Sequence, residues 1–137
     1  DLRERFTLTD DGWLGQELVV NGSFATDSDW TKGTGWTISG GEATSSGVST
    51  GLNQGGLPLS SGSYFSVTYT VYNFISGEVR PRLTGTSSNT GTIRNSAGTY
   101  TDIILSTAGN NLIDMQSVST LTCSIDNVSV KRLIETS

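Results

Sequence analysis

Apolar and polar residues alternate most regularly in residues 64–74. The even-numbered positions carry mostly hydroxyl groups, and the odd-numbered positions from 65 to 71 are apolar: Phe65, Val67, Tyr69 and Val71. A period of two sustained over this length predicts a half-buried antiparallel strand. We therefore expect the apolar set to lie in a core, with the hydroxyl-bearing set on the opposite face.

A second alternating segment, residues 79–84, follows after a short gap. If both segments bury their apolar faces on the same side, the loop between them must contain an odd number of residues. Residues 75–77 satisfy this condition and end in Gly77, which suits the left-handed last position of a three-residue loop. The pattern therefore predicts a β-hairpin.

Weaker strand signals recur along the rest of the chain, separated by turns such as Asn21-Gly22. The predicted strands are residues 18–20, 35–38, 100–106, 112–118 and 122–133. Residues 43–56, rich in Ser, Gly and Thr, are expected to form an edge strand or a loop. Many short strands at this spacing predict an all-β sandwich or barrel, with Leu83 and Ile125 in the core.

The last predicted strand contains a break in its alternation. Ile125 and Val128 are both apolar, yet they would point to opposite faces of a regular strand. One extra residue would turn both side chains inward, and the polar pair Asp126-Asn127 suits such a β-bulge. We expect the bulge at this pair.

Length and charge narrow the class of protein. A chain of 137 residues fits one domain, and we expect an arm or linker at residues 1–16 and the domain at residues 17–137. The net charge of −5 repels phosphate, which argues against a nucleic-acid partner. No apolar run reaches the length that spans a bilayer, so no membrane partner is expected.

The sequence offers little for catalysis. It contains no histidine and one cysteine, Cys123, which excludes Ser-His-Asp and Cys-His nucleophiles and histidine-based zinc sites. Glycoside hydrolysis needs two carboxyl groups at a defined separation. The acids in or near predicted strands are Glu42, Glu78, Asp102 and Asp114, and none stands in a sequence that indicates a raised pKa. We therefore predict that the protein is not an enzyme.

Three motifs occur in order along the chain. Residues 17–24 read E-L-V-V-N-G-S-F, Gly35-Trp36 follows, and residues 124–130 read S-I-D-N-V-S-V. Together they resemble the motifs of the jelly-roll carbohydrate-binding modules attached to xylanases and cellulases. The resemblance implies an antiparallel β-sandwich of the galactose-binding-domain-like jelly-roll type, with Trp36 in the core. It also implies a binding role without catalysis.

The amino-acid sequences of residues 23–30 and 98–100 are similar to those of copies of this module in phage tail and virion proteins. This part of the resemblance implies a virion location, with other virion proteins as partners and a homo-oligomeric assembly. Membership of a secreted glycanase would instead imply an extracellular location. A second hypothesis is structural: a capsid decoration or cement protein with residues 1–16 as its arm. An aromatic-lined concavity would favour the binder.

Metal-binding members of that family hold a structural calcium ion. They use an acid directly after the N-G-x-F motif and the aspartate of I-D-N-V. Here Asp126 is present, Ala25 replaces the other acid, and Asp27 or Asp29 could compensate. The alternative is that Asp126 accepts backbone N–H groups at the bulge. Calcium at Asp126 is therefore one of two hypotheses, and no other cofactor is expected.

The candidate ligand-binding residues are Tyr72, Arg80, Arg82, Thr70, Thr68 and Trp30. Sugars stack their C–H faces on aromatic rings and bond their hydroxyls to Arg, Asn and Gln. In the predicted hairpin Tyr72 faces Arg80 and Thr70 faces Arg82, so these groups form one patch for a glycan or cell-surface polysaccharide. A solvated outer face explains the same pattern. Trp30 is either a further platform or a packed core residue.

Overall fold

The computed structural model describes residues 14–134, and every regular element in that range is a β-strand. The strands are β1 (Leu14–Glu17), β2 (Thr31–Lys32), β3 (Trp36–Ser39), β4 (Glu42–Val48), β5 (Leu52–Gln54), β6 (Tyr64–Gly85), β7 (Ser88–Thr90), β8 (Gly98–Leu105) and β9 (Asn110–Leu133). They pair in antiparallel fashion. Across this range there is no helix with the length and apolar character to span a membrane.

Two long strands, β6 and β9, organise the molecule. They pair with each other from Phe65 opposite Arg132 to Gly85 opposite Asn110. Shorter strands extend this pair into two leaves. Leaf A has the order β3-β4-β9-β6-β8, and leaf B has the order β2-β5-β9-β6-β7. The two leaves enclose one hydrophobic core, which confirms the predicted antiparallel β-sandwich.

Strand β6 turns a corner between the two leaves. Asn73 has a φ of 48° and Gly77 a φ of 98°, and the register with β9 shifts between Tyr72 and Ser76 and again beyond Ser76. A Cβ atom on Gly77 would lie 2.1 Å from the carbonyl oxygen of Thr120, so only glycine fits there. Bends and irregularities of this kind let one strand serve two packed sheets.

The predicted hairpin is therefore wrong. Residues 75–77 form the corner of one continuous strand and do not reverse the chain. The alternation of apolar and polar residues could not distinguish the two structures. Val71 and Val79 are separated by an even number of positions, so a hairpin with a three-residue loop and an uninterrupted strand both bury them on the same side.

The parity assignments themselves are confirmed. The residues expected in the core are all buried: Trp36, Phe65, Val67, Tyr69, Val71, Leu83 and Ile125. The bulge is confirmed as well. Thr68 pairs with Ser129 and Thr70 with Asp126, so β9 carries one extra residue, and Asn127 has a φ of 52°. Ile125 and Val128 both lie in the core.

Strand β4 lies where an edge strand or a loop was expected. It pairs with β3 on one side and β9 on the other, so it is an interior strand of leaf A. Its inward residues Ala43 and Ser45 are both fully buried. Ser45 accepts a hydrogen bond from the backbone N–H of Cys123 at 3.0 Å. Small side chains and a buried hydroxyl produce no hydrophobic period, so the sequence pattern did not reveal this strand.

The first and last motifs of the chain meet in space. The N–H of Val128 donates to the carbonyl oxygen of Gly22 at 3.0 Å, and the N–H of Val130 donates to Glu17 at 2.8 Å. Strand β1 pairs with the end of β9, so residues 14–16 take part in the sheet, while the division into an arm (1–16) and a domain (17–137) stays a prediction. Residues 1–13 of the predicted arm lie outside the described residues.

Candidate ligand-binding faces

The corner in β6 divides the predicted patch between two surfaces. Residues 68–72 belong to leaf A, whereas Arg80 and Arg82 belong to leaf B. The partner of Tyr72 across the ladder is Ser124, and the partner of Arg80 is Gln116. Tyr72 therefore does not face Arg80, and the contiguous patch expected from the hairpin is wrong.

The outer surface of leaf A around Thr68, Thr70 and Tyr72 is called the tyrosine face below. The Thr68 hydroxyl bonds to that of Thr101 at 2.9 Å, and the Thr70 hydroxyl bonds to that of Thr99 at the same distance. These pairs cross from β6 to β8, and each hydroxyl has a protein partner. The face thus satisfies much of its own hydrogen-bonding capacity.

Tyr72 is held by a small carboxylate network. Its hydroxyl donates to Oε2 of Glu42 at 2.7 Å, while Thr44 and Ser124 donate to Oε1 at 3.2 Å each. The bond from Tyr72 lowers the pKa of Glu42 below its ordinary value. Burial, followed by the bond to Glu42, raises the pKa of Tyr72 well above its usual range. The ring is half-buried, and its polar tip is engaged with protein.

The outer surface of leaf B around Arg80 and Arg82 is called the arginine face. Its central row crosses five strands in register: Thr31, Asn53, Asp114, Arg82 and Thr90. The adjoining row places Arg80 opposite Gln116. Alternate residues of a strand lie about 6.6 Å apart on one face, so the two arginines are neighbours.

Arg82 is positioned by a buried carboxylate. Its Nε donates to Oδ2 of Asp114 at 2.7 Å, and the side chain of Arg82 is 30% exposed. Asp114 is only 3% exposed, and its Oδ1 has no hydrogen-bond partner in the described part of the chain. Gly51 leaves the room for this carboxylate, because a Cβ there would lie 2.3 Å from Oδ1. Burial raises the pKa of Asp114 above its ordinary value, against the opposing effect of Arg82.

Arg80 is positioned in the same way by a neutral partner. Its Nε donates to Oε1 of Gln116 at 2.8 Å. Within residues 14–134, the terminal nitrogens of Arg80 and Arg82 have no hydrogen-bond or ion-pair partner. Each guanidinium group is therefore fixed through Nε and offers its outer fork of donors to solvent.

Trp30 is not an exposed platform. It is 7% exposed and packs on Phe24 with ring centroids 5.2 Å apart. Its Nε1 donates to the carbonyl oxygen of Asn21 at 2.9 Å. The proposal of Trp30 as a ligand-stacking residue is therefore wrong, and the alternative that it packs in the core is correct.

Asp126 serves the bulge. Its Oδ1 accepts the backbone N–H of Asn127 at 2.7 Å. The acids expected to compensate for Ala25 have partners of their own: Asp27 pairs with Lys32 and Asp29 accepts from Ser28. In the described range no three His, Cys, Asp or Glu side chains are grouped so that they could hold a metal ion. Asp126 thus makes a backbone contact of the kind that the alternative hypothesis expects, and the calcium site stays a prediction.

Sequence reasoning missed the residues that position the arginines. Asp114 was noted only as an acid near a strand, and Gln116 was not considered. Both lie on β9, more than thirty positions away from their partners along the chain. Only the long-range register of β6 and β9 brings them together, and no local pattern encodes it.

Two surface hollows are lined by residues outside the arginine face. One, of about 290 Å³, is lined by Glu17, Ser23 and Val128 among others. The other, of about 320 Å³, is lined by Leu18, Phe65 and others. Neither hollow includes Arg80 or Arg82 in its lining.

Comparisons with known proteins find a similarity of fold and no match in sequence. No protein family matches the chain. No curated protein matches it either. Among solved structures, the fold is similar to the N-terminal cellulose-binding domain of β-1,4-glucanase C from Cellulomonas fimi. The two share 16% identity and a TM-score of 0.49, over 82% of this chain and 99% of that domain.

Proposed function

We propose that this chain is a non-catalytic module that binds glycans through its arginine face. One observation carries the proposal: two guanidinium groups are fixed at Nε by Asp114 and Gln116, and their terminal nitrogens have no partner in the described part of the chain. Fixed side chains lose little entropy on binding, so such donors are prepared for a ligand. The arginines are flanked by the hydroxyls of Thr84 and Thr90, which suit a hydroxyl-rich partner.

The proposed recognition depends on hydrogen bonds more than on stacking. The row of residues across leaf B contains no aromatic ring. A site of this kind is weak when it acts alone. Display of several copies on a homo-oligomer or on a virion would raise its strength through effective concentration. We therefore propose a multivalent setting, in a virion or in an extracellular assembly.

The absence of catalysis is part of the proposal and is supported by the contacts of three of the four candidate acids. Glu42 accepts from Tyr72, Asp102 pairs with Arg94 at 2.7 Å, and Asp114 pairs with Arg82. Glycoside hydrolysis requires two carboxyl groups that flank one bond. Here each of the three acids has a structural partner instead.

A second candidate function is a cement protein acting through protein contacts with other virion proteins. The observation that favours it is the edge strand β8, which pairs only with β6 among the described strands. Ile103 is 49% exposed and Leu105 is 37% exposed on the outer face of this strand. An exposed apolar edge is a common place for a further strand or chain to dock.

The test uses Arg80, because its partner is neutral. Arg80→Gln removes the free fork and one hydrogen bond, which costs about 1 kcal/mol of stability. We expect wild type to be retained on a glycan array and R80Q to bind at least about tenfold more weakly. Arg132→Gln, which removes an equal charge from an exposed position elsewhere, is the matched control and should bind like wild type. Equal retention of R80Q and wild type would contradict the proposal.

The same variants separate the two candidate functions. Native mass measurement of wild type, R80Q and R132Q reports on assembly. If wild type binds no glycan and R80Q loses the oligomeric state of wild type, the arginine face is a protein interface and not a glycan site. If all three proteins form the same oligomer and none binds a glycan, the cement function through the β8 edge is favoured.

A further inference from the structure

We infer that the arginine face selects sugars that carry a carboxylate, that is, uronic acid units. This inference rests on the proposed function that the face binds glycans. It adds a class of ligand, the uronic acids. The grounds are the donors of Arg80 and Arg82 that have no partner among residues 14–134 and the way in which the two charges are compensated.

The free donors have the geometry of a carboxylate site. In both arginines Nε is occupied by a residue of β9, so the outer edge with its two terminal nitrogens is the edge left for a ligand. Two N–H groups on that planar edge match the two oxygens of a carboxylate, and the charge-assisted pair is about twice as strong as neutral hydrogen bonds. A sugar hydroxyl would use only part of this arrangement.

The charges of the two arginines are compensated unequally. Arg82 has the carboxylate of Asp114 at 2.7 Å, whereas Arg80 is held by the neutral amide of Gln116. Glu78, two positions earlier on the same strand, forms no ion pair with Arg80 among the described residues. Among residues 14–134, Arg80 therefore has no ion-pair partner, whereas the neighbouring Arg82 has one. We assign Arg80 as the group that binds the carboxylate and Arg82 as its neighbouring donor.

The surrounding charge favours a polymer with one carboxylate per sugar unit over one with several sulfates per sugar unit. The chain carries a net charge of −5, so a nucleic acid or a heavily sulfated polymer meets repulsion outside this face. Asn53, Thr84 and Thr90 around the arginines are neutral and can bond to ring hydroxyls. A polysaccharide with one carboxylate per sugar unit fits this combination of one open cation and several neutral groups.

The experiment compares one polymer with and without its carboxylates. The full chain is run in affinity electrophoresis against polygalacturonate, carboxyl-reduced polygalacturonate, a neutral β-glucan and dextran sulfate. We expect wild type to bind polygalacturonate about tenfold more tightly than the carboxyl-reduced polymer. Added salt should weaken this binding and leave any neutral-glycan binding unchanged.

Variants assign the preference to Arg80. R80Q should bind polygalacturonate and its reduced form equally, and R132Q should keep the wild-type preference. Arg80→Lys keeps the charge and loses the fork, so it should retain only part of the preference. A full wild-type preference in R80K would show that charge alone suffices and would overturn the role of the fork.

The outcomes separate this inference from the proposed function. Equal wild-type binding to polygalacturonate and to its reduced form would overturn the inference and leave glycan binding intact. Tighter binding to dextran sulfate than to polygalacturonate would also overturn it. Loss of binding to every glycan on the array and in the gels would overturn the proposed function itself.

Discussion

The two outer faces of the sandwich are built on the same strand and differ in what their polar groups contact. On the tyrosine face, Tyr72 donates to Glu42, and the threonine hydroxyls of β6 bond to those of β8. On the arginine face, β9 takes up only the Nε atoms of Arg80 and Arg82. The outward polar groups of an alternating strand therefore either bond to neighbouring strands or remain available to solvent. The residues that the neighbouring strands place opposite them determine which of the two occurs.

The largest expected effect comes from removing the charge that compensates Asp114. Arg82→Gln leaves a carboxylate that is 3% exposed without an ion-pair partner, and we expect a loss of about 3–5 kcal/mol in the free energy of unfolding. Asp114→Asn leaves an arginine that is 30% exposed and can turn to water, so it should cost clearly less. Urea unfolding measures both values. A milder loss in R82Q than in D114N would show that the buried carboxylate does not depend on Arg82.

The corner that separates the faces is the next most sensitive point. Gly77→Ala places a Cβ 2.1 Å from the Thr120 oxygen at a φ of 98°, and we expect a cost of about 2–4 kcal/mol. Gly40 has a φ of 62° with nothing within 4 Å of its Cβ position, so Gly40→Ala carries only the backbone term of about 1 kcal/mol. Thermal unfolding of both variants is the measurement. Equal costs would mean that the corner can relax around an added methyl group.

A smaller effect concerns pH. Because the folded-state pKa of Asp114 is raised, protonation favours the folded state, and this contribution is lost as pH rises through the raised pKa. Relative to D114N, wild type should therefore gain stability as pH falls from neutral toward 3.8, the ordinary value of the group. Taking the difference between the two proteins cancels the other titrating groups. If D114N instead gained stability relative to wild type on acidification, the pKa of Asp114 in the folded protein would be lowered and not raised.

The smallest effect is expected on the tyrosine face. Tyr72→Phe removes one hydrogen bond to Glu42 and should cost about 1 kcal/mol without changing glycan retention. It should also allow the pKa of Glu42 to rise toward its ordinary value, which a carboxyl NMR titration detects. Loss of glycan retention in Y72F would move the binding site to leaf A.

Much of the sandwich could be predicted from local pattern, because alternation reports directly on which face is buried. It placed Phe65, Val71 and Leu83 in the core, and a break in parity located the bulge beside Asp126. It failed at residues 75–77, where a hairpin and a continuous strand satisfy the same parity. Only the register with β9 distinguishes them.

The proposed binding face could be predicted only in part. Arg80 and Arg82 could be found as outward residues of an alternating segment. Asp114 and Gln116, which fix their orientation, could not, because they approach through long-range pairing of two strands. Trp30 shows a different limit of sequence reasoning. An aromatic residue in a polar loop suggests a platform for stacking a sugar, and only the structure shows that Trp30 packs on Phe24.

The central claim is that ligand binding takes place on the arginine face, and an NMR titration tests it most directly. A galacturonic acid trisaccharide is added to the labelled full chain while backbone amides and arginine Nε–H signals are followed. We predict that shifts concentrate at the Nε–H groups of Arg80 and Arg82 and at the amides of residues 79–84 and 112–116. Shifts confined to the tyrosine face or to the two surface hollows would contradict the account.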